Sequence, residues 1–186
     1  MRLVLIGAPG SGKGTQAQLL GAASGARHIA TGDMLRQQVE EGTELGRRVE
    51  QYLDSGALVP DQILFDLVLP LLDSGGSPHY ILDGFPRSNQ QAIRFDELAG
   101  PAAPEQAVLL EVPTDELVQR LLSRAAEQHR SDDTEEVIMH RLRVFEEQTS
   151  PLTDYYRADG RLFVVPAGGP VEQVASALAE VVIDSR

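Results

Sequence analysis

Residues 7–15 read GAPGSGKGT and directly follow the apolar run LVLI at 3–6. The spacing Gly-x4-Gly-Lys lets the backbone curl until successive N–H groups face inward around a phosphate. A helix opening near Lys13 adds its positive end, and the Lys13 ammonium reaches the outer phosphates. Gly14 stands where such loops usually carry a Ser or Thr hydroxyl for Mg²⁺, and Thr15, one position on, points elsewhere on the helix. A metal is therefore expected to rest on the nucleotide's phosphates and on water, with Asp33 or Asp83 nearby through that water.

A second set of chemistry-bearing residues follows the run YILD at 80–83. A carboxylate at the C-terminal tip of a central strand, here Asp83, lies beside a phosphate loop and can orient metal-bound water. Arg87 follows Gly84-Phe85-Pro86, and the proline fixes the backbone before it, so its guanidinium is aimed at phosphate. Ser88 is expected to cap the next helix, with Gln91 one turn inside it and near enough to read a base edge.

Arg120 and Arg124 are spaced i,i+4 and share one side of a helix. Arg130 follows shortly after, and Arg141 borders the apolar stripe of Val137, Phe145 and Leu152, where a charge needs an anionic partner. Planar guanidinium forks grip phosphate oxygens in pairs and compensate charge as it shifts in phosphoryl transfer. Arg143 and Arg157 lack such a setting and read as surface residues. No general base stands out and none is needed, because a monophosphate oxygen is already a competent nucleophile. His28, His79, His129 and His140 show no metal-ligand spacing and read as structural.

The elements that must position these groups follow from periodicity. Short apolar runs at 3–6, 28–30, 80–82, 107–111 and 162–165 read as strands. Between and after them, spacings of three and four predict helices at 13–23, 62–72, 89–98, 114–127, 134–156 and 171–182. Such alternation predicts an α/β fold, an open parallel sheet with helices on both faces and ligands at the C-terminal strand ends. Two stretches interrupt it. Residues 31–59 predict two extra helices outside the sheet, at 32–41 and 43–54, and 125–131 separates two arginine-bearing helices. Both make sense as covers that exclude water from the reacting groups.

The 186 residues suffice for one core, and 42% of them are apolar. The absence of cysteine excludes disulfides, thiol nucleophiles and thiolate metal sites, and fits a reducing compartment. A net charge of −12, from 28 acidic and 16 basic residues, disfavours nucleic acid as a partner. No long apolar segment or cleavage signal stands behind the opening strand, so a secreted or membrane-spanning protein is not expected and a cytoplasmic one is.

Together these residues resemble the adenylate kinase family in its short-lid form. The resemblance spans essentially the whole chain: GAPGSGKGT at 7–15, HIATGDMLR at 28–36, LVP at 58–60, ILDGFPR at 81–87 with Gln91, RLLSR at 120–124, RSDDT at 130–134, HRL at 140–142 and TSPLTDYY at 149–156. It implies a three-layer P-loop fold with a five-stranded parallel sheet, in which 1–29, 60–124 and 132–186 form the core. Residues 30–59 would be a helical AMP-binding insertion and 125–131 a short lid, small and free of zinc. It further implies reversible transfer of the terminal phosphoryl group of ATP to AMP, giving two ADP, with Mg²⁺, by a monomer.

Carried onto this chain, Gly10, Ser11, Gly12, Lys13, Gly14 and Thr15 would bind the ATP phosphates. Arg120 and Arg124 would contribute on that side, and Gly169 would lie near the adenine. AMP would be held by Thr31, Arg36, the backbone of Ala57, Leu58 and Val59, then Gly84, Phe85, Pro86, Arg87 and Gln91. Arg130 and Arg141 would reach both substrates' phosphates, Asp83 would orient magnesium through water, and Asp33 would be its acidic partner. The catalytic set is then Lys13, Arg87, Arg120, Arg124, Arg130 and Arg141. Without the resemblance the acceptor base stays open, UMP or CMP included. A nucleotide-dependent switch also stays open, although Gly14 and the acceptor-side arginines weigh against it.

Overall fold

A computed structural model describes residues 1–73, 78–128 and 134–184. Five parallel strands form one sheet: β1 (Arg2–Ile6), β2 (Arg27–Ala30), β3 (Tyr80–Asp83), β4 (Gln106–Glu111) and β5 (Leu162–Pro166), in the order β2-β3-β1-β4-β5. The chain runs from β1 outward to β2, whereas from β3 it crosses β1 to reach β4. The C-terminal ends of β1 and β3 therefore face the crevice where the winding reverses, and parallel sheets bind ligands there. Their register sets Leu5 beside Asp83, which brings the start of the glycine loop next to the carboxylate.

Alternation along the strands separates two cores. Val4, Ile6, Ile29 and Leu82 point to one face, where they pack with Phe85, Phe95, Leu152 and Tyr156. Leu3, Leu5, Ile81, Val108 and Val165 point to the other, against Ala17, Leu20, Val174 and Leu178. The helices supplying that second face are α1 (Lys13–Ser24) and, at the end of the chain, α9 (Val171–Asp184). Three layers result, with the central strands apolar on both sides, as a covered parallel sheet requires.

The excursion after β2 consists of α2 (Thr31–Glu40) and α3 (Glu44–Ser55). Thr43 caps α3 by accepting from the Gly46 N–H at 2.9 Å. The two helices meet so closely that a Cβ on Gly46 would stand 2.0 Å from the Gln38 carbonyl oxygen. The chain then returns through α4 (Asp61–Asp73), and β3 leads to α5 (Asn89–Ala99), whose Ser88 cap accepts from the Gln91 N–H at 3.2 Å.

One helical expectation is corrected. The helix α6 (Thr114–Gln128) runs one residue past the expected 114–127 and so takes in 125–128; residues 129–131 of the expected lid lie outside the described residues. The single helix expected over 134–156 is α7 (Glu135–Val144), a π-helical turn (Phe145–Thr149) and α8 (Leu152–Ala158). The Ser150 N–H bonds five residues back to the Phe145 carbonyl at 2.7 Å. Pro151, with no N–H to donate, then opens α8. No described helix is long and apolar enough to cross a membrane.

Candidate active site

The loop after β1 is folded by its own polar groups. The Ser11 N–H donates to the Ala8 carbonyl at 3.1 Å, and Gly12 takes φ +89°, a left-handed turn that favours glycine, to start α1. Lys13 Nζ lies across the loop, donating to the Gly7 carbonyl at 2.7 Å and the Ala8 carbonyl at 3.0 Å. The ammonium is thereby kept at the loop mouth on backbone carbonyls.

Asp83, at the tip of β3, faces this loop. A Cβ on Gly14 would lie 3.5 Å from its Oδ2, so a side chain at position 14 would lean directly on the carboxylate. Burial works to raise the Asp83 pKa, but the His28 ring beside it, then the charges of Lys13, His28 and Arg87, outweigh it and hold the carboxyl below its ordinary value. His28 Nε2 stands 3.5 Å from Asp83 Oδ2. The histidine expected to be merely structural is therefore a neighbour of the carboxylate. The register of β2 on β3, which pairs Ala30 with Asp83, brings the two together.

The turn after β3 is shaped to aim Arg87. Gly84 has φ +86°, and a Cβ there would meet Thr31 Oγ1 at 2.9 Å. Arg87 Nε donates back to the Gly84 carbonyl at 2.7 Å, and its N–H donates to Gln91 Oε1 at 2.7 Å. Thr31 Oγ1 donates to the Asp83 carbonyl at 3.2 Å, joining the start of α2 to the strand tip.

These parts enclose one cleft of about 670 Å³, a size that admits nucleotide-scale ligands. Its walls include residues 10–15, Asp33, Arg36, Leu58, Asp83, Gly84, Pro86, Arg87, Arg120, Arg141 and Gly169. Arg36 pairs with Asp33 on α2. Arg141 comes from α7 and packs against Gly56, where a Cβ would stand 2.6 Å from its Cγ. Arg120 Nη2 donates to Glu116 Oε1 at 2.5 Å and to the Ala167 carbonyl at 2.9 Å. In a chain of net charge −12, five cationic side chains (Lys13, Arg36, Arg87, Arg120 and Arg141) line this single cleft.

Other expected site residues stand behind the walls. Ala57 and Val59 flank Leu58, and Val59 and Thr31 are buried. Phe85 is wholly buried, edge-on to Phe65 at 5.6 Å and Phe95 at 5.0 Å, so its side chain anchors the turn in the core. Gln91 is 1% exposed, with Oε1 on the Arg87 N–H and Nε2 donating to Asp61 Oδ1 at 2.7 Å. Arg124 lies on α6, but its side chain, like the whole of Arg130, lies outside the described residues. Arg143 and Arg157 are exposed, as expected.

Sequence reasoning passed over Glu116 and Asp61. The i,i+4 spacing of Glu116 and Arg120 is a readable signal. Asp61 meets Gln91 only through the tertiary fold.

Among the described residues, no group of three His, Cys, Asp or Glu side chains could hold a metal ion. An ionised Asp83 facing the phosphate loop, with no hydroxyl at Gly14, fits a hydrated Mg²⁺ carried in by a nucleotide.

A family model described as adenylate kinase matches residues 5–161. The chain is 45% identical over 183 residues to adenylate kinase 1 of Synechocystis sp., covering 97% of this chain and 96% of that protein. It is 44% identical to an adenylate kinase of Thermobifida fusca over 177 residues, 94% of either chain. With an adenylate kinase of Synechococcus sp. it shares 47% identity over 176 residues, again 94% of each.

Proposed function

The chain belongs to the adenylate kinase family, and from that premise we propose that this phosphotransferase moves the terminal phosphoryl group of ATP onto AMP, reversibly giving two ADP. The observation that carries this reading is the convergence of the phosphate loop, Asp83 and four arginines from separate elements on one cleft. A hydrolase would have no use for so many cations on the side away from the loop.

Residues 10–15 hold the donor phosphates, and Lys13 exchanges the Gly7 and Ala8 carbonyls for phosphate oxygens. Arg120 and Arg124 serve the same side, and Gly169 lies by the donor base. Arg36 and Arg87 hold the acceptor phosphate, with Thr31, residues 57–59, Gly84, Phe85, Pro86 and Gln91 shaping the rest of the acceptor site. Residues 30–59 form the acceptor-binding segment. Arg141 and Arg130 span both sets of phosphates.

An acceptor oxygen attacks the terminal phosphorus in line. The bond to that oxygen forms as the bond to the β–γ bridging oxygen breaks, and the leaving group is ADP. The acceptor oxygen is already anionic, so no side chain removes a proton. The arginines and Lys13 compensate the charge that shifts across the phosphorus, and in such a site this electrostatic stabilisation lowers the barrier most. When bound, Mg²⁺ neutralises the donor's outer phosphates, and Asp83, with Asp33, orients its water shell. Both substrates are accounted for by one chain, which acts as a monomer.

A coupled assay of ADP formation tests the reading. Rapid ADP production is expected only when ATP, AMP and Mg²⁺ are all present. Equal ADP production from ATP without AMP would make the protein a hydrolase and overturn the proposal.

A further inference from the structure

Glu116 is a carboxylate at the edge of a cleft built for polyphosphate, where an unpaired negative charge would oppose the ligand. It lies in the first turn of α6, four residues before Arg120. A solvent-facing pair at that spacing adds little to stability. This pair does more, because the same nitrogen, Arg120 Nη2, also donates to the Ala167 carbonyl at 2.9 Å. Both protons of Nη2 are thus engaged, one by Glu116 at 2.5 Å and one by the residue that follows β5. The other terminal nitrogen, Nη1, is left beside the phosphate loop, 3.9 Å from where a Cβ on Gly12 would sit.

The second carboxylate oxygen lies close to the backbone after β5. A Cβ on Gly168 would meet Glu116 Oε2 at 2.9 Å and Pro113 Cδ at 3.3 Å, so the carboxylate sits against the segment leading to Gly169. Through the shared guanidinium nitrogen, Glu116 thus joins the helix that carries Arg120 to the connection after β5, with Nη1 beside the glycine loop.

We propose that Glu116 is a positioning residue: it clamps Nη2 of Arg120 against Ala167 so that Nη1 is presented to the donor phosphates. The inference rests on the reading of Arg120 as a donor-side residue. A long, flexible arginine is expensive to order, and two fixed acceptors on one nitrogen order it before the ligand arrives.

The test is steady-state kinetics of E116A, E116Q, R120A, E116A/R120A, G168A and E116A/G168A, with KM measured separately for ATP and AMP and thermal unfolding followed for each. Losing a charged hydrogen bond that aims Arg120 should raise KM for ATP about tenfold in E116A, with KM for AMP within about twofold of the parent. E116Q, which keeps an acceptor oxygen for Nη2, should raise KM for ATP by about threefold at most. The double variant E116A/R120A should be no worse than R120A.

G168A presses on Glu116 and should raise KM for ATP, an effect that E116A/G168A should not show beyond E116A alone. An unchanged KM for ATP in E116A, or full additivity with R120A, overturns the proposal while leaving Arg120 in place. Should E116A not fold, a parent-like G168A overturns it. A parent-like R120A would instead remove the underlying donor-side reading.

Discussion

Gln91 and Asp61 are joined by a 2.7 Å hydrogen bond from Nε2 to Oδ1, which links the first turn of α5 to the first turn of α4. The other end of the same amide accepts from the Arg87 N–H. The end of the α2–α3 excursion is thereby coupled to the turn that aims Arg87. Replacing Asp61 by Ala leaves a buried amide short of a partner, which costs about 1–3 kcal/mol. The expected outcome is a lower unfolding midpoint and a KM for AMP raised severalfold, with KM for ATP unchanged. Equal shifts in both constants would contradict the coupling.

Lys13→Met and Arg87→Met each remove a cation aimed at the reacting phosphates. Loss of one such group is expected to lower kcat about 10²–10³-fold. Single-turnover kinetics at saturating ATP and AMP checks this for each variant separately. Near-normal turnover in either would refute the role given to that residue.

Asp83 is held below the ordinary carboxylate range against its burial, by His28 and then by Lys13 and Arg87. A depressed folded-state pKa contributes stability that is full above the unfolded value, about 3.9, and is lost as pH falls through the folded value. Urea unfolding of the parent and of Asp83→Asn across pH 3–7 is therefore expected to give parallel behaviour above about pH 5. Below about pH 4 the parent should lose stability more steeply than the variant. Identical slopes throughout would show that Asp83 is not held ionised.

The parts of this molecule that sequence makes legible are those whose chemistry is contiguous. The glycine loop carries its turn residues, its lysine and its preceding strand within one stretch, and the five apolar runs each became a strand within a residue or two. Ser88 was legible as a cap for the same reason. The π-helical turn at Phe145–Thr149 was not, because one extra residue hardly disturbs an apolar stripe of period near 3.6. The Gln91–Asp61 hydrogen bond depends on a contact thirty residues away in sequence, and the His28–Asp83 pairing on strand register. Glu116 was visible as an i,i+4 partner of Arg120, but the Ala167 carbonyl that gives the pair its purpose was not.

Arg161 lies just before β5, at the end of the sheet away from the cleft. There it donates to Asp96 Oδ2 at 2.8 Å, with both side chains 19% exposed, and its guanidinium sits 4.9 Å from the centre of the Tyr156 ring. Tyr155 Oη donates to the same Asp96 oxygen at 2.8 Å. Arg161→Met strands a largely buried carboxylate, and a loss of about 3 kcal/mol is expected by chemical unfolding. KM for ATP and AMP should stay at the parent values. Altered substrate constants with unaltered stability would contradict the separation of this cluster from the site.

The identity of the acceptor is the central claim, and phosphorus NMR of ATP and Mg²⁺ mixed separately with AMP, CMP, UMP and dTMP tests it most directly. The expected result is rapid growth of the paired ADP resonances with AMP, and transfer to the other three slower by at least about tenfold, the discrimination that about 1.4 kcal/mol provides. Equal turnover of all four would contradict AMP as the acceptor, and release of inorganic phosphate without acceptor phosphorylation would contradict transfer itself.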